Sequence, residues 1–78
     1  MENRILSAIC TSLGLENANV GISQVNCANW DSMHHLNLIV ELESEFDVEF
    51  EPEEIAEMKD YYHIKHILEE KLRGSVHE

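Results

Sequence analysis

Three stretches of this chain repeat apolar residues at helical spacing, and only one short stretch alternates. From Glu2 to Leu13, Ile5, Ile9 and Leu13 recur every fourth position, with Leu6 and Cys10 beside them, and Gly14 supplies a stop. From Ser32 to Phe46, Leu38, Leu42 and Phe46 recur in the same way with Ile39 alongside. From Tyr61 to Leu72 the stripe is Tyr61, Ile64, Ile67/Leu68 and Leu72, with Asp60 as cap, Lys71 and Arg73 at the C-terminal end, and Gly74 as stop. Pro52 fits the first turn of a short helix, with Glu53 and Glu54 at its positive end and Ile55 and Met58 facing inward. The alternating run Asp47-Val48-Glu49-Phe50-Glu51 has no second strand to pair with, so it reads as an extended connector with Val48 and Phe50 inward. The expected fold is all-α: a small four-helix bundle with a long loop between helices 1 and 2 and a short third helix.

With 78 residues the chain has room for one small domain, spanning 1–78 with a flexible tail from about 74 to 78. Its hydrophobic content of 44% is too high for a disordered acidic tail. Sixteen acidic against five basic residues give a formal charge of −11, which repels nucleic acid and anionic membranes and favours partners with basic patches. Cys10 and Cys27 make no disulfide framework; Cys10 falls on an apolar stripe and is expected as a buried free thiol, and Cys27 in a polar loop as the more exposed one. The start, Met1-Glu2-Asn3-Arg4, lacks the marks of a signal peptide, and no apolar run approaches the ~20 residues of a membrane span. A cytoplasmic, monomeric protein without membrane insertion is expected.

Between Leu15 and Trp30 no periodicity holds; Val20, Ile22 and Val25 are isolated apolar anchors among Asn, Gly and Ser. Loops this long in a small domain tend to be functional or to wrap across a helix end. Trp30 closes the loop as an apolar anchor just before the next helix, in the hydrophobic-staple position. Asp31 is a good N-cap and Ser32 a possible one. The helix from Ser32 carries a second apolar face, Met33, Leu36 and Val40, displaced from the first, with Glu41, Glu43 and Glu45 between and beside the two. It is either a partner-docking face with an acidic rim or part of a wide core face on a central helix.

The serine at this helix start has no activating neighbour. His34 and His35 are close in sequence, yet helix neighbours two or three apart point elsewhere or lie alongside, and there is no Gly-x-Ser-x-Gly elbow. Catalysis is therefore not expected, and the hydroxyl reads as a point of attachment. A phosphate ester is favoured there, because free backbone N–H groups and the helix dipole stabilise an anion. The five histidines read as solvated surface residues, since no Cys-x-x-Cys or His-Glu-x-x-His spacing is present. A calcium loop from Asp47 fails: Pro52 stands where glycine is needed and Met58 where the bidentate glutamate belongs.

The residues now assembled resemble the acyl carrier proteins, within the wider group of phosphopantetheine-bearing carriers. The likeness spans nearly the whole chain: a first helix ending at Leu13-Gly14, a long loop, Asp31-Ser32-Met33, the run Leu36-Asn37-Leu38-Ile39-Val40-Glu41-Leu42-Glu43-Ser44-Glu45-Phe46, and Val48-Glu49-Phe50 leading into two further helices. The resemblance implies that Ser32 bears 4′-phosphopantetheine, moved from coenzyme A by a phosphopantetheinyl transferase, and that Asp31 assists that enzyme and caps the helix. It implies a recognition face of Met33, Leu36, Val40, Glu41 and Glu43, read by acyl-loading, synthase or acyltransferase enzymes. It further implies that Leu38, Ile39, Leu42 and Phe46 are core positions that part to shelter an acyl chain. His34, His35 and Asn37 depart from the acidic or small polar residues frequent in primary fatty-acid carriers, and Trp30 departs from glycine-alanine. That difference points to a specialised free-standing carrier for a fatty-acid-like, polyketide or surface-polysaccharide pathway. An aminoacyl or peptidyl carrier and an unmodified acidic interaction module are the alternatives.

Overall fold

The structure, a computed structural model, describes residues 1–74. Four helices and no strand occur among the described residues: α1 (Glu2–Leu13), α2 (Ser32–Phe46), α3 (Pro52–Glu57) and α4 (Tyr61–Gly74). The radius of gyration is 11.8 Å, against about 11.5 Å for a folded chain of this length. No helix among the described residues is long and apolar enough to cross a membrane. The expected tail beyond Gly74 lies outside the described residues.

The apolar stripes meet in one core. α1 contributes Ile5, Ala8, Ile9 and Leu13; α2 contributes Leu38, Ile39, Leu42 and Phe46; α4 contributes Tyr61, Ile64, Ile67 and Leu68. Each fully buried large apolar side chain is worth roughly 1.5–3 kcal/mol. Gly14 ends α1 in the left-handed conformation at φ 69°, which a side chain would strain. Asn29 Nδ2 donates to the Leu13 carbonyl at 3.0 Å. At the other end of the pair, Arg4 Nε donates to Glu45 Oε2 and Arg4 Nη2 to the Glu45 carbonyl, each at 2.8 Å. The Arg4 guanidinium lies 4.4 Å over the Phe46 ring. Thus the start of α1 meets the end of α2, and the end of α1 meets the approach to α2. The two helices lie side by side in opposite directions.

Four readings need correction. Cys10 is half-buried, like Cys27, because it sits on the flank of the α1 stripe rather than at its centre. Val25 is 97% exposed rather than an anchor, whereas Val20 and Ile22 pack against the core. Ile55 and Met58 do face inward, Ile55 half-buried against the core and Met58 fully buried. α4 runs through Gly74 instead of stopping before it, its last turn tied to α3 by Lys71 Nζ on Glu54 Oε1 at 2.8 Å. Of the histidines, His66 is exposed as expected, but His34 and His63 are bonded to aspartates and His35 is half-buried between elements; His77 lies outside the described residues.

The segment from 14 to 31 is held by its own polar side chains. Asn19 Oδ1 accepts from Gly21 N–H, Asn26 Oδ1 accepts from Ser23 N–H, and Asn26 Nδ2 donates to the Gly21 carbonyl, all within 2.9–3.0 Å. These asparagines replace the ladder that a helix or sheet would supply. Gln24 N–H donates to the Lys59 carbonyl at 2.8 Å and Tyr61 N–H to the Ile22 carbonyl at 3.2 Å. The segment is thereby stitched to the start of α4 through one isolated antiparallel bridge, Ser23 with Asp60. After α2, Asp47 takes a left-handed conformation at φ 56°, and the connector turns with Val48 half-buried and Phe50 buried.

Candidate functional site at the start of helix α2

Asp31 is the cap of α2, and Ser32 is its first helical residue. Asp31 has an extended backbone, and its Oδ1 accepts two bonds from His34: the backbone N–H at 2.9 Å and the ring Nδ1–H at 2.8 Å. Those bonds, the backbone one first, hold the Asp31 carboxyl below the usual aspartate range against a small opposing effect of burial. The cap leaves Ser32 exposed, with its hydroxyl not committed to capping. Ser32 N–H and Met33 N–H sit in the first turn, where the helix offers no acceptor. This end of α2 therefore suits an anionic ester on the Ser32 oxygen.

The Asp31–His34 pair resembles part of a hydrolytic triad, and its position shows why it is not one. Ser32 and His34 lie two residues apart, about 200° around the helix, so hydroxyl and ring project on opposite sides. The same pair recurs at α4, where Asp60 Oδ1 accepts from the His63 N–H and Nδ1–H at 2.8 Å each, next to a tyrosine. The motif is a capping device.

The segment before Ser32 is anchored from the core side. Trp30 is buried and stacks on His35, with ring centroids 6.2 Å apart and planes at 29°. These are the N′ and N4 positions of a hydrophobic staple, here with an added hydrogen bond: Trp30 Nε1–H donates to His35 Nδ1 at 2.9 Å. The opposite ring nitrogen, Nε2, lies 2.8 Å from the Ile55 carbonyl of α3. The sequence reading found the staple tryptophan and missed its partner. The five-residue spacing of Trp30 and His35 was the signal.

Downstream, α2 presents two distinct faces. Leu38, Ile39, Leu42 and Phe46 are in the core, all at 7% exposure or less. Met33, Leu36 and Val40 are 72%, 59% and 64% exposed. The second stripe is therefore an uncovered apolar surface next to Ser32, not a widened core face. The acidic residues divide. Glu41 borders the hollow between α1 and α2, with Asn3, Arg4 and Ser7. Glu43 Oε2 accepts the Phe50 N–H at 2.9 Å while its carbonyl accepts the Val48 N–H at 3.2 Å, so this residue also fastens the turn after α2. Among the described residues no three His, Cys, Asp or Glu side chains gather as a metal site.

Compared with known proteins, the chain matches no family model and no curated protein.

Proposed function

We propose that the chain is an acyl carrier protein: it carries acyl intermediates as thioesters on 4′-phosphopantetheine attached to Ser32, and presents them to partner enzymes. The observation that carries this reading is the exposed Ser32 at the first position of α2, held there by an Asp31 cap and bordered by the uncovered face of Met33, Leu36 and Val40. The arm, when attached, supplies the terminal thiol that bears the acyl group. Ser32 offers the oxygen, and the amides of the first turn favour the phosphate charge. Asp31 fixes the geometry that a phosphopantetheinyl transferase meets.

Docking rests on Met33, Leu36 and Val40 at the centre and on Glu41 and Glu43 at the rims, set against basic patches of acyl-loading, synthase or acyltransferase enzymes. With a net charge of −11, the chain meets such patches quickly and in a salt-dependent way. Leu38, Ile39, Leu42 and Phe46 form the wall that parts for an acyl chain. The bundle of the carriers, with its long first loop and short third helix, fits the observed helix order. The non-acidic start of α2, His34, His35 and Asn37, supports a specialised carrier over a general fatty-acid one.

The test is intact mass before and after incubation with coenzyme A and a broad-specificity phosphopantetheinyl transferase. The expected result is one phosphopantetheine gained by the native chain and none by Ser32→Ala. An unchanged mass for folded, initially unmodified protein returns Ser32 to an ordinary first helical residue and leaves an unmodified interaction module.

A further inference from the structure

The imidazole of His35 touches the approach to Ser32 and the third helix at once. Its Nδ1 faces the Trp30 indole N–H at 2.9 Å, and its Nε2 faces the Ile55 carbonyl at 2.8 Å. An indole nitrogen can only donate, and a carbonyl can only accept. One form of the ring satisfies both: neutral, with the proton on Nε2 and a lone pair on Nδ1. The other neutral tautomer breaks both contacts, and the doubly protonated ring sets two N–H groups against each other at Trp30.

We infer that His35 is the positioning residue of the Ser32 site, a tautomer-locked link that holds Trp30 and α3 against the start of α2. Trp30 precedes the Asp31 cap directly and is 3% exposed, so fixing the indole fixes the entry angle of the chain into the helix that bears Ser32. On the other side, α3 is only six residues long and sets one apolar side chain, the half-buried Ile55, against the core. Among the described residues two polar ties join it to other helices, the His35 bond to Ile55 and the Lys71–Glu54 ion pair to α4. The His35 bond joins α3 to α2. Both ring nitrogens of His35 are engaged, by Trp30 and by Ile55, so it acts on the serine through its neighbours.

This inference rests on the carrier reading for its consequence but not for its geometry, and the experiment separates the two. The variants are His35→Phe, which keeps a stacking ring without either bond, and His35→Asn, whose amide oxygen can still accept from Trp30. Nitrogen-15 spectra of the native chain should show His35 Nε2 protonated and Nδ1 bare. The Trp30 indole N–H should exchange with solvent roughly tenfold faster in His35→Phe than in the native chain, with His35→Asn restoring most of the protection. Transferase modification of Ser32 should slow by a similar factor in His35→Phe, mostly through kcat/KM, and recover in His35→Asn, with helicity unchanged in both. The opposite ring tautomer, or native exchange of the indole in His35→Phe, overturns the link whatever Ser32 carries. Native modification rates in His35→Phe overturn its role in positioning Ser32. A native chain that is never modified sinks the carrier reading while the indole exchange still decides the link.

Discussion

The starts of α2 and α4 are built from the same parts and serve different ends. Each has an aspartate cap, Asp31 or Asp60, whose Oδ1 takes both the backbone N–H and the ring Nδ1–H of the histidine three residues on. The first helical residue differs. At α2 it is Ser32, exposed; at α4 it is Tyr61, 1% exposed. The cap thus carries no information about function. What sets α2 apart is that its cap delivers a hydroxyl to solvent beside an uncovered apolar stripe, whereas the α4 cap delivers a ring to the core.

That contrast is easiest to break by truncation. Tyr61→Ala empties a fully buried position and should cost about 3–5 kcal/mol, comparable to other buried aromatics. Ser32→Ala should change stability by less than about 0.5 kcal/mol, because Asp31 does the capping. Denaturant titration of both checks this, and a comparable loss at Ser32 would mean that its hydroxyl is structural after all. Tyr61→Phe sharpens the point. The Tyr61 hydroxyl is buried with no hydrogen-bond partner among the described residues, and its burial, with the Glu2 charge, pushes the phenol pKa up. Removing an unpartnered buried hydroxyl should leave the protein as stable as before or stabler.

A second comparison lies within α2, between its two stripes. Leu38→Ala should cost roughly 2–5 kcal/mol, while Leu36→Ala should stay within about 0.5 kcal/mol. Leu36→Ala should nevertheless weaken transfer to or from a partner enzyme if the exposed stripe is a docking face. Equal activity of Leu36→Ala, Met33→Ala and the native chain over a range of salt concentrations would remove the reason for assigning that face to partners.

Helix spans were legible in the sequence because each apolar stripe is bounded by strong local signals: Gly14 after α1, Asp31 before α2, Pro52 opening α3 and Asp60 before α4. The core stripes followed from the same spacing. What the sequence left open was decided by packing between distant parts. Whether Met33, Leu36 and Val40 were core or surface depended on where α1, α3 and α4 sat. His35 looked solvated because its partners lie five residues back and twenty residues on, one a side chain and the other a carbonyl that no residue name reveals. Glu43 looked like a free rim charge because its acceptor role depends on the turn that brings Phe50 N–H back to it. At Ser32 the helix start suggested a point of attachment, but the phosphopantetheine arm was implied only by the likeness to a family, and it remains a proposal that the serine's exposure supports.

The smallest expected effect tests the shared cap itself. Both aspartates have carboxyls below their ordinary range. For Asp31 the His34 backbone N–H is the main cause; for Asp60 burial pushes upward and is outweighed by the His63 backbone and ring bonds. A lowered folded value means that the unfolded chain binds more protons, so the stabilisation is full above the ordinary aspartate value of about 3.9 and is lost as pH falls through the lower folded value. Glu54 is shifted the same way despite its burial, by the Glu51 backbone N–H and Lys71, so some acid sensitivity belongs to α3. Asparagine keeps a capping oxygen without the titration. Asp31→Asn and Asp60→Asn should therefore fold like the native chain at neutral pH and show a shallower stability loss between about pH 5 and 2, additive in the double variant because the two caps share no partner. Asp60, the less exposed of the two caps, should account for the larger part of the flattening. An acid profile in the double variant identical to the native one would show that the histidine bonds do not distinguish the charged caps from neutral ones, and that the likeness between the two helix starts is one of shape alone.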